Sequence, residues 1–87
     1  MAGETARVRM APAGTRNQTL FTAAVALGQL VGGGLVDAYT VRDHLREAVV
    51  DHIQAGAFTP VEADATISSG LTRGILEPRS GPHEGVA

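Results

Sequence analysis

The stretch Gly14–Gly34, GTRNQTLFTAAVALGQLVGGG, decides how this chain folds. Leu20, Ala24, Leu27 and Val31 recur at the spacing that lines one face of an α-helix. Phe21, Val25 and Leu30 widen that stripe, so the segment is predicted to be a central helix covered on several sides. Thr15 or Asn17 can cap its start by accepting an otherwise unpaired backbone N–H. Gly32, Gly33 and Gly34 stop it, one of them as the left-handed residue that follows many helix ends. Gly28 is the oddity, because glycine inside a helix costs about 1 kcal/mol relative to alanine. It lies in line with Ala24 and Gly32, and Thr66, Gly70 and Gly74 form a matching row further along. Two such rows let two helix backbones approach closely. Close packing is the preferred reading of Gly28, and a groove left open for a ligand is its alternative.

On either side of this segment the sequence reads as further helix. Residues 3–10, GETARVRM, form two turns with Ala6, Val8 and Met10 as apolar positions, and Pro12 ends them because the residue before a proline avoids the helical region. After Asp37, a natural N-cap, Val41, Leu45, Ala48, Val49 and Ile53 make an amphipathic helix closed by Gly56. Arg42, Asp43, Arg46, Glu47 and Asp51 are expected to face water. Thr59-Pro60-Val61-Glu62 is a capping box with proline at the first helical position. The helix it opens buries Ala63, Ile67, Gly70 and Leu71, with Gly74 expected as its C′ residue. Ile75 and Leu76 are expected to fold back onto the bundle before Pro78. The predicted fold is all-α: a bundle of three main helices plus a short N-terminal helical segment over residues 1–79, with 80–87 as a flexible tail.

Composition narrows the class of protein. Eighty-seven residues suffice for one small domain, and with two Phe, one Tyr and no Trp the core must be built from Leu, Val, Ile and Ala. Absence of cysteine excludes disulfides and thiolate metal sites. No apolar run reaches the roughly 18 residues of a membrane span, and the N-terminus lacks a signal-peptide pattern, so a cytoplasmic protein without membrane contact is expected. All seven basic residues are Arg and the net charge is −2. A GC-rich genome accounts for the missing lysines, although arginine is also the better fork for phosphate.

Few residues invite chemistry. The triple glycine follows a helix and lacks the Gly-Lys-Ser/Thr of a phosphate loop. His44 and His52 are too far apart in sequence for one-turn metal ligation, and His83 is near the end, so all three are assigned surface or boundary roles. Glu62 and Asp64 point to different sides of a helix, and Ser68 and Ser69 have no evident base. No catalytic constellation, metal site or cofactor is expected. Arg16 is different, since it stands at a helix start, where unpaired N–H groups favour an anion. Asn17 follows it, Arg73 lies one turn after Ser69, and Arg79 comes just past the last helix; read from the residues alone, these are surface charges. Parallel packing of the two small-residue faces would separate Arg16 from Arg73; antiparallel packing would separate it from Ser69.

Residues 6–49 together with ATISSGLTRGILEPR, residues 65–79, resemble the helical region C-terminal to the catalytic domain of actinobacterial bifunctional DNA primase/polymerases. The shared frame opens with V-R-x-A-P-x-G-x-R-N-x-x-L, Val8 to Leu20, and continues with L-G-Q-L-V, Leu27 to Val31. It ends with T-I-x-S-G-L-x-x-G, Thr66 to Gly74, and the Pro78-Arg79 pair. Departures fall at Tyr39 or Thr40, where the family usually has Glu, and at Phe21-Thr22, where an Asn-Arg pair is common. The family's polymerase domain, with its metal-binding acids, has no counterpart in these residues. The resemblance therefore implies a non-catalytic accessory domain that assists template DNA or nucleotide binding during primer initiation. Its partners would be single-stranded DNA and the primase/polymerase catalytic domain.

On that reading Arg16, Arg73 and Arg79 contact phosphates, and Asn17 and Ser69 add neutral hydrogen bonds. The alternative is a protein-interaction or regulatory bundle from a mobile element that binds no DNA. The acidic third helix favours that alternative, because it would repel a phosphate backbone. A small core without staples also leaves room for a homodimer.

Overall fold

Five helices follow one another in the computed structural model, which describes residues 2–78: α1 (Ala2–Arg9), α2 (Arg16–Gly32), α3 (Ala38–Ala48), α4 (Val50–Gln54) and α5 (Pro60–Ile75). The described residues contain no strand, so the fold is all-α. Arg79, the residues 80–87 expected to form a tail, and His83 among them lie outside the described residues. The expected third main helix is divided at Val49, whose backbone leaves the helical region at φ −98°, ψ 0°. Two consecutive β-branched residues, Val49 and Val50, stand at this break.

The dominant contact is between α2 and α5, which run parallel. Asn17 meets Thr66, Ala24 meets Gly70, and Gly28 meets Leu71 and Gly74; Gly32 meets Ile75 and Pro78. Both partners climb together along the sequence. A Cβ added to Gly28 would sit 2.6 Å from the Leu71 carbonyl oxygen, and one on Gly70 would sit 2.5 Å from the Ala24 methyl. One on Gly74 would be driven onto the Val25 carbonyl oxygen. Backbone therefore touches backbone where Gly28 and Gly74 meet, while the Ala24 methyl fills the space against Gly70. The expected pairing of the Ala24-Gly28-Gly32 row with the Thr66-Gly70-Gly74 row is the observed one.

That closeness corrects the expectation for Gly74. It is buried within α5, which continues to Ile75, and its role is to admit α2. At the end of α2 the glycines divide their tasks: Gly32 lies in the last turn, while Gly34, at φ +78°, is the left-handed residue. The Leu35 N–H bonds the Leu30 carbonyl and that of Gly34 bonds Val31, which closes the helix as a Schellman motif. Thr15 stands at the N-cap of α2 but makes no capping bond, and its hydroxyl donates instead to the Pro12 carbonyl at 2.8 Å. Asn17 lies inside the first turn. The capping box of α5 forms as expected, with Glu62 N–H to Thr59 Oγ1 at 3.1 Å and Thr59 N–H to Glu62 Oε1 at 2.8 Å.

The core lies on the other side of the pair. Leu20, Leu27, Val41, Leu45, Val49 and Ile67 are fully buried there, joined by Val8 from α1 and by Phe58. Of the apolar positions expected in α1, only Val8 is buried; Ala6 and Met10 are exposed. Ile75 and Leu76 do not fold inward either, since both are exposed at the end of α5. His52, assigned above to the surface or boundary, is buried at 5% exposure, with Nε2 2.6 Å from the Val8 carbonyl oxygen. Nε2 must carry the ring proton to donate to that oxygen. The bond fastens α1 to α4.

Arg42 and Arg46 do not simply face water. Arg42 donates to Ser68 at 2.8 Å, and Arg46 grips Asp64 through Nε at 2.9 Å and a second nitrogen at 3.4 Å, so both tie α3 to α5. The hydrogen bond to Asp64, then the charge of that carboxylate, holds the Arg46 pKa above its ordinary value.

The seam makes a direct prediction. Gly74→Ala forces a methyl between two backbones and lowers stability by about 3 kcal/mol, the upper part of the range for overpacking. Gly3→Ala, where nothing lies within 4 Å of the added methyl, changes stability by less than about 1 kcal/mol, in the stabilising direction. Urea denaturation followed by circular dichroism measures both.

Candidate nucleic-acid interface

The residues expected to bind nucleic acid lie along the α2–α5 seam but do not converge on one point. Arg16 begins α2, half-buried, and its Nε donates to the Ala11 carbonyl at 3.1 Å. This bond folds the turn after α1 back onto the start of α2. Asn17 accepts a 2.8 Å hydrogen bond from the Thr66 hydroxyl through Oδ1, so its carbonyl already serves the seam. Ser69 is exposed on α5, and Arg73, one turn on, faces Glu77 at 3.9 Å.

Because the helices are parallel, Arg73 stands about 10 Å further along the axis than the Asn17–Thr66 bond, at 1.5 Å rise per residue. Arg16 and Asn17 thus mark one end of the seam, and Ser69 and Arg73 lie beyond it on α5. This is the separation of Arg16 from Arg73 that parallel packing implied. Arg79 lies outside the described residues and has no assigned position.

Two shallow hollows open at the Arg16 end. One, of about 340 Å³, is lined by Gly14, Arg16, Asn17 and Gly56 together with alanines. The other, of about 430 Å³, is lined by Asn17, Phe58, Thr66 and the capping residue Glu62. Arginine and carboxylate therefore stand at the same end, and the field there is mixed. The outer surface of α3 is acidic, with Asp43 and Glu47 exposed, and Asp51 continues it on α4. Among the described residues no three His, Cys, Asp or Glu side chains group to hold a metal ion. No helix among them is long and apolar enough to cross a membrane.

One surface escaped the reading of charged residues. Gln18, Thr22 and Ala26 of α2 lie between two grooves, walled by Glu4 and Arg7 on one side and by Arg73 and Glu77 on the other. Its signal in the sequence is an absence: no charged residue occurs between Arg16 and Asp37. No protein family, curated protein or solved structure matches the chain.

The Asn17–Thr66 bond is the polar link between the two ends of the motif frame. Asn17→Ala and Thr66→Val are each expected to cost less than about 1 kcal/mol, with a favourable coupling of about 0.5 kcal/mol in a double-mutant cycle. Additive effects would mean that the contact contributes nothing.

Proposed function

We propose that this chain is a non-catalytic helical accessory domain of a DNA primase/polymerase, assisting template DNA or nucleotide binding during primer initiation. The observation that supports this reading is where the motif residues lie. The R-N pair and the L-G-Q-L-V run on α2 face the T-I-x-S-G-L-x-x-G run on α5, through Asn17–Thr66 and Gly28–Gly74. The pieces that carry the family resemblance are thus the two sides of one packing seam. On this reading Arg16, Ser69 and Arg73, with Arg79 beyond the described residues, meet the phosphates of a single strand that follows the seam. Asn17 holds α2 against α5 beneath it. Phe21 is the one aromatic ring beside the Arg73 groove, so affinity rests on charge more than on base stacking.

A second reading has its own support. Asp43, Glu47 and Asp51 make the α3–α4 surface repel phosphate, and Glu77 offsets the charge of Arg73. These features suit an interaction or regulatory bundle that binds no DNA.

A salt titration separates the two. For fluorescence anisotropy with a labelled single-stranded oligonucleotide, the first reading predicts binding that weakens as salt rises. Arg16→Ala/Arg73→Ala should then lower the slope of log K against log salt by about 1.4, at about 0.7 per phosphate contact on a single strand. Absence of binding at low salt would leave the second reading.

A further inference from the structure

The large apolar side chains left exposed among the described residues gather on the α3–α5 side of the bundle. Apart from Met10 they are Leu35, Tyr39, Val50, Val61, Ile75 and Leu76, all on α3, α4 and α5 or at their ends. Arg42 bonds Ser68 and Arg46 bonds Asp64, so α3 runs antiparallel to α5. In that register Val50 comes level with Pro60 and Val61, and Leu35 with Ile75. Tyr39 stands three residues before Arg42, on the side of α3 that meets α5. Val61, Thr72 and Ile75 continue the helical spacing of Asp64 and Ser68. Val50 lines a groove of about 240 Å³ with Arg46, Pro60 and Asp64. The face thus has one apolar end at Tyr39, Ile75 and Leu76, another at Val50 and Val61, and the Arg46–Asp64 pair between them. Tyr39, Val61 and Leu76 are each more than three-quarters exposed. Large apolar side chains concentrated on one face mark an interaction surface.

We propose that a second copy of this chain covers this face, about a two-fold axis that lies in the plane of contact and runs along the helices. Such an axis keeps every residue at its height and exchanges the α3 side of the face with the α5 side. Helix α3 of one copy then lies on α5 of the other, in the register that already holds within each chain. Val50 meets Val61 of the other copy. Tyr39 meets Leu76, because helical side chains lean toward the N-terminus of their own helix and these two lean toward each other. Charge selects this axis. It sets Arg46 of each copy against Asp64 of the other, so four charges alternate in sign around the axis. Both side chains are about half exposed, at 50% and 47%, and can take this second partner. A two-fold across the helices would instead lay α3 on α3 and set its arginines against one another. The small Ala65, Ser68 and Thr72 leave room on α5 for those arginines. The result is an antiparallel four-helix bundle whose contact is isologous and closes on itself. A face about 24 Å long and two helices, about 20 Å, wide buries on the order of 1,000 Å² over both copies, the size at which a specific interface begins. Arg73 lies on the other flank of α5, beside α2, so the arrangement goes beyond the proposed function and does not depend on whether the chain binds DNA.

Sedimentation of the full chain over a concentration series tests it. The wild type should pass from monomer to dimer. Leu76→Glu puts a carboxylate into the apolar end of the contact and should weaken the dimer about tenfold or more, with unchanged helical circular dichroism. Arg46→Asp alone gathers four acids around the axis, and Asp64→Arg alone gathers four arginines, so each should weaken its own dimer to a similar degree. Mixed in equal amounts, these two variants should pair with each other, which a role of Arg46 and Asp64 within one chain would not produce. A monomer at every concentration, a dimer that Leu76→Glu leaves intact, or charge variants that form no mixed dimer would overturn the proposal.

Discussion

Direct contact between the backbones of α2 and α5 governs this structure. Gly28, Gly70 and Gly74 leave no room for a Cβ, so the two helices come into direct contact at these positions. Each glycine gives up helix propensity for this approach. The helices are parallel, and a chain that leaves the end of α2 must therefore travel the length of the bundle before α5 begins. Helices α3 and α4 are that return path. They bring Val41, Leu45, Val49 and His52 against the apolar side of the pair, where α1 closes the core.

Much of this was legible because it rests on local rules. The capping box at Thr59–Glu62, the stop at the triple glycine and the paired small-residue rows are each short patterns with one physical meaning. Direction was not legible, since matching small rows fit parallel and antiparallel neighbours equally well. Gly74 had two readings, a helix end and a member of the small-residue row; the opposing Val25 carbonyl decides for the row. His52 was legible in principle. It lies one turn after Ala48 and two after Leu45, on the buried face, and its polarity hid a helical period that the residue obeys.

The candidate site was legible by residue type and not by partner. Arg16 and Asn17 were recognisable at a helix start, yet their bonds to Ala11 and Thr66 depend on a turn and on a helix 49 residues away. The same limit applies to Arg42 and Arg46, which tie α3 to α5 through Ser68 and Asp64. Charge is divided by helix as a result: α3 turns acids outward, α2 turns out none, and the arginines stand at the edges of the α2 face.

The direction and closeness of the α2–α5 seam can be read from nuclear Overhauser contacts between glycine Hα protons. Parallel packing in the observed register predicts a strong cross-peak between the Hα protons of Gly28 and Gly74. It also predicts contacts from Ala24 to Gly70 and from Asn17 to Thr66. A missing Gly28–Gly74 cross-peak accompanied by one between Gly28 and Thr66 would mean that the helices run in opposite directions, and would contradict the fold described above.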